Sequence, residues 1–155
     1  MIMKKFLSYL ILILIPLGVG GLSALLTMKN MNIYSEIVAP PLSPPGVLFP
    51  IVWSVLYILM GVSSAIIYNS NSNKKEDALF IYATSLVLNF FWSIFFFNLR
   101  NFVFSFIILL ALLFTIILTV IRYFKINKVA SILQIPYILW VTFAGYLNFA
   151  IILLN

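Results

Sequence analysis

Charged side chains in this sequence fall only outside five long apolar runs, and those runs set its organisation. The runs cover residues 6–28, 46–68, 78–97, 102–121 and 129–154, each 20 to 26 residues long. A helix rises about 1.5 Å per residue, so about 20 apolar residues cross a hydrocarbon core of about 30 Å. The pattern predicts an all-α membrane protein, a bundle of five transmembrane helices that forms a single membrane domain over 1–155. The loops at 69–77, 98–101 and 122–128 are short, so sequential helices should pack as antiparallel neighbours.

Composition supports this reading. The chain is 65% hydrophobic and 8% charged, against roughly 25% charged in soluble domains. Lys4-Lys5, an apolar run and the small residues at 18–24 also fit a cleavable secretory leader. The run continues to Met28, however, beyond the about 7–15 residues of a usual leader core, which favours a retained first span. Lys4, Lys5, Lys74, Lys75, Arg122, Lys125 and Lys128 lie on one side of the predicted bundle, and only Lys29 and Arg100 on the other. The positive-inside rule then places the N-terminus in the cytoplasm and Asn155 outside, in a multi-pass cell-membrane protein.

Charge and chemistry narrow the function. The net charge of +6 is scattered over loops, with no basic, aromatic-interleaved patch, so no nucleic-acid partner is expected. There is no Cys and no His; thiolate chemistry and the commonest haem ligand are excluded, and no metal site is expected. No Asp, Glu, Lys or Arg lies inside a span and no inverted repeat is visible, which argues against an ion-coupled pump.

The informative residues within the spans are small, polar or aromatic. Gly20 with Ala24, and Gly61 with Ala65, are small-xxx-small pairs that let helices approach closely. Three helical faces carry more: Trp53, Tyr57 and Met60; Asn89, Trp92, Ser93 and Phe96; and Tyr137, Trp140, Ala144 and Asn148. Asn89 needs a partner in mid-membrane and should face the interior, and Asn148 suits a helix–helix hydrogen bond. Counting about 1.5 Å per residue, Trp53, Asn89, Trp92 and Trp140 fall in the middle or outer half of the bilayer. They lie beneath the first loop, 29–45, whose Pro40, Pro41, Pro44 and Pro45 stiffen it into a candidate lid. Trp53 and Trp92 are also near enough to the interface to serve as aromatic-belt residues.

The segments APPLSPPGVLFPIVWSVLYILMG (39–61), LNFFWSIFFF (88–97) and PYILWVTFAGYLNF (136–149) resemble the translocator protein family. That family is also called the peripheral benzodiazepine receptor or tryptophan-rich sensory protein family. The resemblance implies a five-helix bundle, often dimeric, with one pocket beneath the first loop. Its ligands would be porphyrins such as protoporphyrin IX and haem, with isoquinoline carboxamides and benzodiazepines; bacterial members are linked to tetrapyrrole regulation, stress responses and light-dependent porphyrin breakdown. Carried over by motif, the pocket would comprise Tyr34 and Pro44 in the loop, Trp53, then Asn89, Phe90 and Trp92, and finally Tyr137, Trp140 and Ala144. Trp53 and Trp140 would be its redox-active, catalytic pair, with the porphyrin as ligand and no resident cofactor. The family's Trp-Tyr in the loop is Ile33-Tyr34 here, and Leu42 and Val47 replace two further tryptophans, so the lid is less aromatic. Nothing basic follows Tyr146, which argues against tight cholesterol binding. Passive transport of porphyrins or other apolar ligands and lipids is the alternative, and composition alone would also fit an accessory subunit without a small ligand.

Overall fold

The computed structural model covers all 155 residues and contains five helices long and apolar enough to cross a membrane, with no strand. Helix α1 (Ile2–Thr27) starts before its apolar run, because Lys4 and Lys5 are carried on exposed turns outside the lipid-compatible segment. The first loop is ordered. A 3-10 turn at Met28–Asn30 leads into a single turn of helix, α2 (Ile33–Glu36), and Ile33 is fully buried.

Helix α3 (Leu48–Tyr68) packs along α1. Pro16 cannot donate to Leu12 O, and that carbonyl faces Gly61: a Cβ on Gly61 would lie 2.7 Å from Leu12 O and meet Ile13 Cα. Gly61 therefore fixes a close backbone crossing within one chain. Helix α4 (Lys75–Ser93) begins three residues ahead of its apolar run, with Glu76 and Asp77 in the first turn, where the helix dipole favours acidic groups. Its last turn loosens into a π-helical segment, Ile94–Asn98.

Helix α5 (Phe102–Phe124) is capped by Asn101, whose side chain accepts from Phe104 N at 3.1 Å. It outruns its apolar segment to carry Arg122, which pairs with Asp77. The run at 129–154 is not one uninterrupted helix. Helix α6 (Lys128–Leu133) gives way at Gln134 to α7 (Ile135–Leu154). Pro136 has no N–H for Ile132 O and disfavours the helical conformation at Ile135, so the ladder breaks there.

Four residue pairs strap the first loop to the bundle end. Asn30 Nδ2 donates to Asn98 Oδ1 at 2.8 Å, and Arg100 pairs with Glu36 at 2.6 Å. Tyr146 OH donates to Pro41 O at 2.7 Å, and Asn155 holds Val38 through both backbone groups, at 3.0 and 3.2 Å.

Candidate functional site

Beneath this strapped loop is a cavity of about 570 Å³. Its first wall is a stripe of small residues on α1, including Gly20, Gly21 and Ala24, in a helix otherwise dominated by large aliphatics. Its second wall is the Trp53–Tyr57 face of α3, and its third is Trp92, Ser93 and Phe97. Tyr34, Met31 and Phe49 close the loop end. Gly21, Ala24, Gly46 and Ser54 are exposed as well as lining the cavity, so it opens sideways between α1 and α3.

The aromatic side chains are ordered by contact. Trp53 stacks on Tyr57 with centroids 5.5 Å apart and planes at 26°, and meets Tyr137 edge-on at 6.3 Å. Trp92 stacks on Phe96 at 5.2 Å, and Tyr34 on Phe49 at 5.7 Å. Offset rings of this kind form flat apolar faces that keep their orientation without strong hydrogen bonds.

Below the cavity the polar groups are spent on holding these rings. Asn89, 2% exposed, faces the interior as expected and donates toward Tyr57 OH at 3.4 Å and Tyr137 OH at 3.3 Å. Trp92 Nε1 donates to Asn148 Oδ1 at 3.1 Å, which also accepts from Ser105 Oγ, while Asn148 Nδ2 donates to Phe102 O at 2.9 Å. The expected helix–helix hydrogen bond of Asn148 is thus present and joins α4, α5 and α7.

Of the nine site residues expected from motif, Tyr34, Trp53 and Trp92 line the cavity. Asn89 and Tyr137 lie one layer beneath, where Asn89 donates to the hydroxyls of both Tyr137 and Tyr57. Phe90 turns aside to pack edge-on against Phe91 at 5.6 Å, and neither Pro44 nor Ala144 reaches the lining. Trp140 stands apart from Trp53. It borders a shallow apolar groove of about 440 Å³ between α3 and α7, with Pro136, Leu139 and Phe143. Phe49 separates it from the loop end of the cavity, 5.8 Å from the Trp140 ring, and its indole N–H is buried without a partner. Motif reasoning left out Tyr57, Phe49, Phe97 and the α1 stripe, along with smaller contributors such as Met31, Ser54 and Ser93. The stripe's signal was already in the sequence, as Gly20 and Ala24, but small residues that pack and small residues that border a space look alike there.

No His, Cys, Asp or Glu cluster capable of holding a metal is present, and no charged side chain lines the cavity. The arrangement suits a flat apolar molecule with few polar groups.

A sequence model of the TspO/MBR family matches residues 12–154. The chain belongs to the TspO/MBR family. Its relatives include the tryptophan-rich protein TspO of Chlorobaculum tepidum, 35% identical over 98% of both chains. The TspO of Archaeoglobus fulgidus is 35% identical over 92% of this chain and 94% of its own. The translocator protein of Bos taurus is 30% identical over 88% of this chain and 83% of its own. TspO/MBR membership and the five spanning helices together make this a multi-pass membrane protein embedded in a lipid bilayer.

Proposed function

We propose that this protein binds a tetrapyrrole, protoporphyrin IX or haem, in the cavity between α1, α3 and the end of α4, and takes isoquinoline- or benzodiazepine-type molecules in the same place. The observation that carries this reading is the pair of indoles, Trp53 and Trp92, on two walls of one uncharged cavity closed by Tyr34. Its volume of about 570 Å³ falls in the range of about 300–1,000 Å³ typical of small-molecule sites. With no His or Cys in the chain, a metalloporphyrin is held by stacking and shape rather than by those axial ligands.

The same reading extends to light-dependent breakdown of protoporphyrin. Trp53 meets the macrocycle and donates an electron to the photoexcited ring, which leaves an indole radical cation beside a porphyrin radical anion; dioxygen is the oxidant that the breakdown consumes, and Trp140 acts at one remove, across Phe49. Titration of detergent-purified protein with protoporphyrin IX in the dark, following tryptophan emission against an unrelated helical membrane protein, tests the binding. Saturable quenching at a single ligand per chain is expected, and quenching no steeper than the control overturns it. Illumination of the complex then tests the photochemistry: the double variant Trp53→Phe, Trp140→Phe should bind but lose directed breakdown.

Passive movement of apolar ligands is a second reading, favoured by the sideways opening between α1 and α3. Porphyrin flux across vesicles containing the protein distinguishes it from static binding.

A further inference from the structure

The tip of the first loop carries a leucine where the backbone disfavours one. Residues 40–43 form a tight turn, in which Ser43 N donates to Pro40 O at 3.3 Å and Ser43 Oγ donates to the same carbonyl at 2.7 Å. Pro41 takes the second position and Leu42 the third, with φ +68°. This is the pattern of a type II turn, whose third position favours Gly or Asn because a Cβ is strained there. Leu42 bears that strain with its side chain 81% exposed, so it gains almost nothing from packing on its own chain.

The depth of the turn indicates what it meets. Val38 is clamped by Asn155 at the end of α7, whereas three residues later Pro41 O is held by Tyr146 OH at 2.7 Å. Tyr146 stands eight residues before Leu154, the last residue of α7, which puts its Cα about 12 Å below that end. Helical side chains lean toward the N-terminus, so the phenol does not climb back, and the loop runs down along α7 rather than away from it. Phe149 and Leu153, nearer the helix end than Tyr146, are exposed; apolar lipid-facing surface therefore continues past the level of Tyr146. On its other side the turn leads into α3, where Val47, Ile51, Val55 and Ile58 form one exposed stripe at helical spacing.

The chemistry of the segment suits lipid. No charged side chain lies between Glu36 and Lys74. Pro40, Pro41, Pro44 and Pro45 have no N–H to leave unpaired in apolar surroundings, and the Ser43 N–H is bonded within the turn. We propose that this turn is a membrane wedge, which seats Leu42, with Val47 behind it, among the acyl chains of the leaflet on the loop side of the bundle. Removing the exposed leucine from water offsets the strain in its backbone. The prolines and the Tyr146 bond hold the turn rigidly in that direction. The loop that closes the cavity is thereby fastened to the bilayer as well as to the bundle.

Site-directed spin labelling tests this, and the absence of cysteine allows a single label per chain. Nitroxides on Leu42→Cys, Ile58→Cys and Asn73→Cys are compared in phosphatidylcholine vesicles. The readout is collision with oxygen, which concentrates among acyl chains, against collision with a water-soluble nickel chelate. Ile58 lies on the exposed stripe of α3, and Asn73 is exposed in the polar loop 69–77. The label at 42 should favour oxygen several-fold, as at 58. Preference for the chelate, as at 73, overturns the proposal. Low access to both reagents means that protein covers the position, a second copy if the labels broaden one another, and overturns it as well. Leu42→Asn gives an independent measurement, because asparagine suits the positive φ but not the acyl chains. With a nitroxide on Val47→Cys, chelate collisions should rise several-fold when Leu42→Asn is added. An unchanged ratio shows that Leu42 does not seat the turn, and the proposal fails.

Discussion

Gly20 and Tyr57 share one volume: the Tyr57 ring fills the space that a side chain on Gly20 would occupy. A Cβ there would lie 2.7 Å from Tyr57 Cζ and closer still to its ring edge. That ring is the one Trp53 stacks on and Asn89 bonds, so the glycine on α1 sets the aromatic wall on α3. Gly20→Ala should tilt Tyr57 and weaken protoporphyrin binding about tenfold, or about 1.4 kcal/mol. Gly21→Ala is the control, since a Cβ on Gly21 meets nothing within 4 Å. Dark titrations of both variants check this; equal affinities would mean that Tyr57 shifts without consequence.

Gly61 governs stability rather than the cavity. A Cβ at this position strikes backbone, Ile13 Cα and Leu12 O, and backbone cannot rotate away as a side chain can. Gly61→Ala must push α1 from α3 at their closest crossing, and overpacking of this kind costs about 1–3 kcal/mol. The unfolding midpoint in detergent should fall, whereas Gly18→Ala, with open space around its Cβ, should leave it unchanged or slightly raised. A Gly61→Ala midpoint matching that of Gly18→Ala would show that the crossing relaxes freely.

The five spans were legible because their signal, length and absence of charge, is one-dimensional. Helix ends were less so: Glu76 and Asp77 at the start of α4 and Arg122 at the end of α5 extend helices beyond the apolar runs, because charge is unwelcome in lipid while the dipole favours acidic groups at a helix N-terminus and basic groups at a C-terminus. Asn89 and Asn148 were legible as interior because a lone amide has no alternative in a membrane. The rotation of α7 was harder to read. Tyr137, Ala144 and Asn148 define its buried face, and Trp140, three residues past Tyr137, falls roughly 60° short of a full turn. That offset carries its indole to the α3–α7 groove instead of the cavity. Motif spacing cannot resolve such a difference, because it depends on how α3 and α7 dock.

The two tryptophans should accordingly separate in their effects on binding. Trp53→Ala removes a cavity wall and should lower porphyrin affinity at least tenfold, in line with about 1–3 kcal/mol for loss of a base–aromatic stack. Trp140→Ala empties a position outside the cavity and should change the affinity no more than about twofold, well under 1.4 kcal/mol. Absorbance titration of the porphyrin, which does not depend on tryptophan emission, measures both. Equal losses would show that the bound state draws Trp140 into contact with the ligand.

The strapped loop bears on exchange of ligand more than on the fold. The Arg100–Glu36 pair is 40% and 50% exposed, and surface pairs of this kind contribute about 0–1 kcal/mol. Glu36→Gln alone should do little. Asn155 and Tyr146 are different, because one amide clamps both backbone groups of Val38 and one phenol holds the carbonyl of Pro41. Removing these bonds leaves the transmembrane contacts of α1, α3, α4 and α5 intact while freeing the segment above Tyr34. The double variant Asn155→Ala, Tyr146→Phe should therefore release protoporphyrin several-fold faster while keeping a near-normal unfolding midpoint. Stopped-flow displacement of bound porphyrin gives the rate. An unchanged rate would mean that Ile33, buried against the core, is enough to keep the loop in place, and that ligand leaves through the sideways opening between α1 and α3.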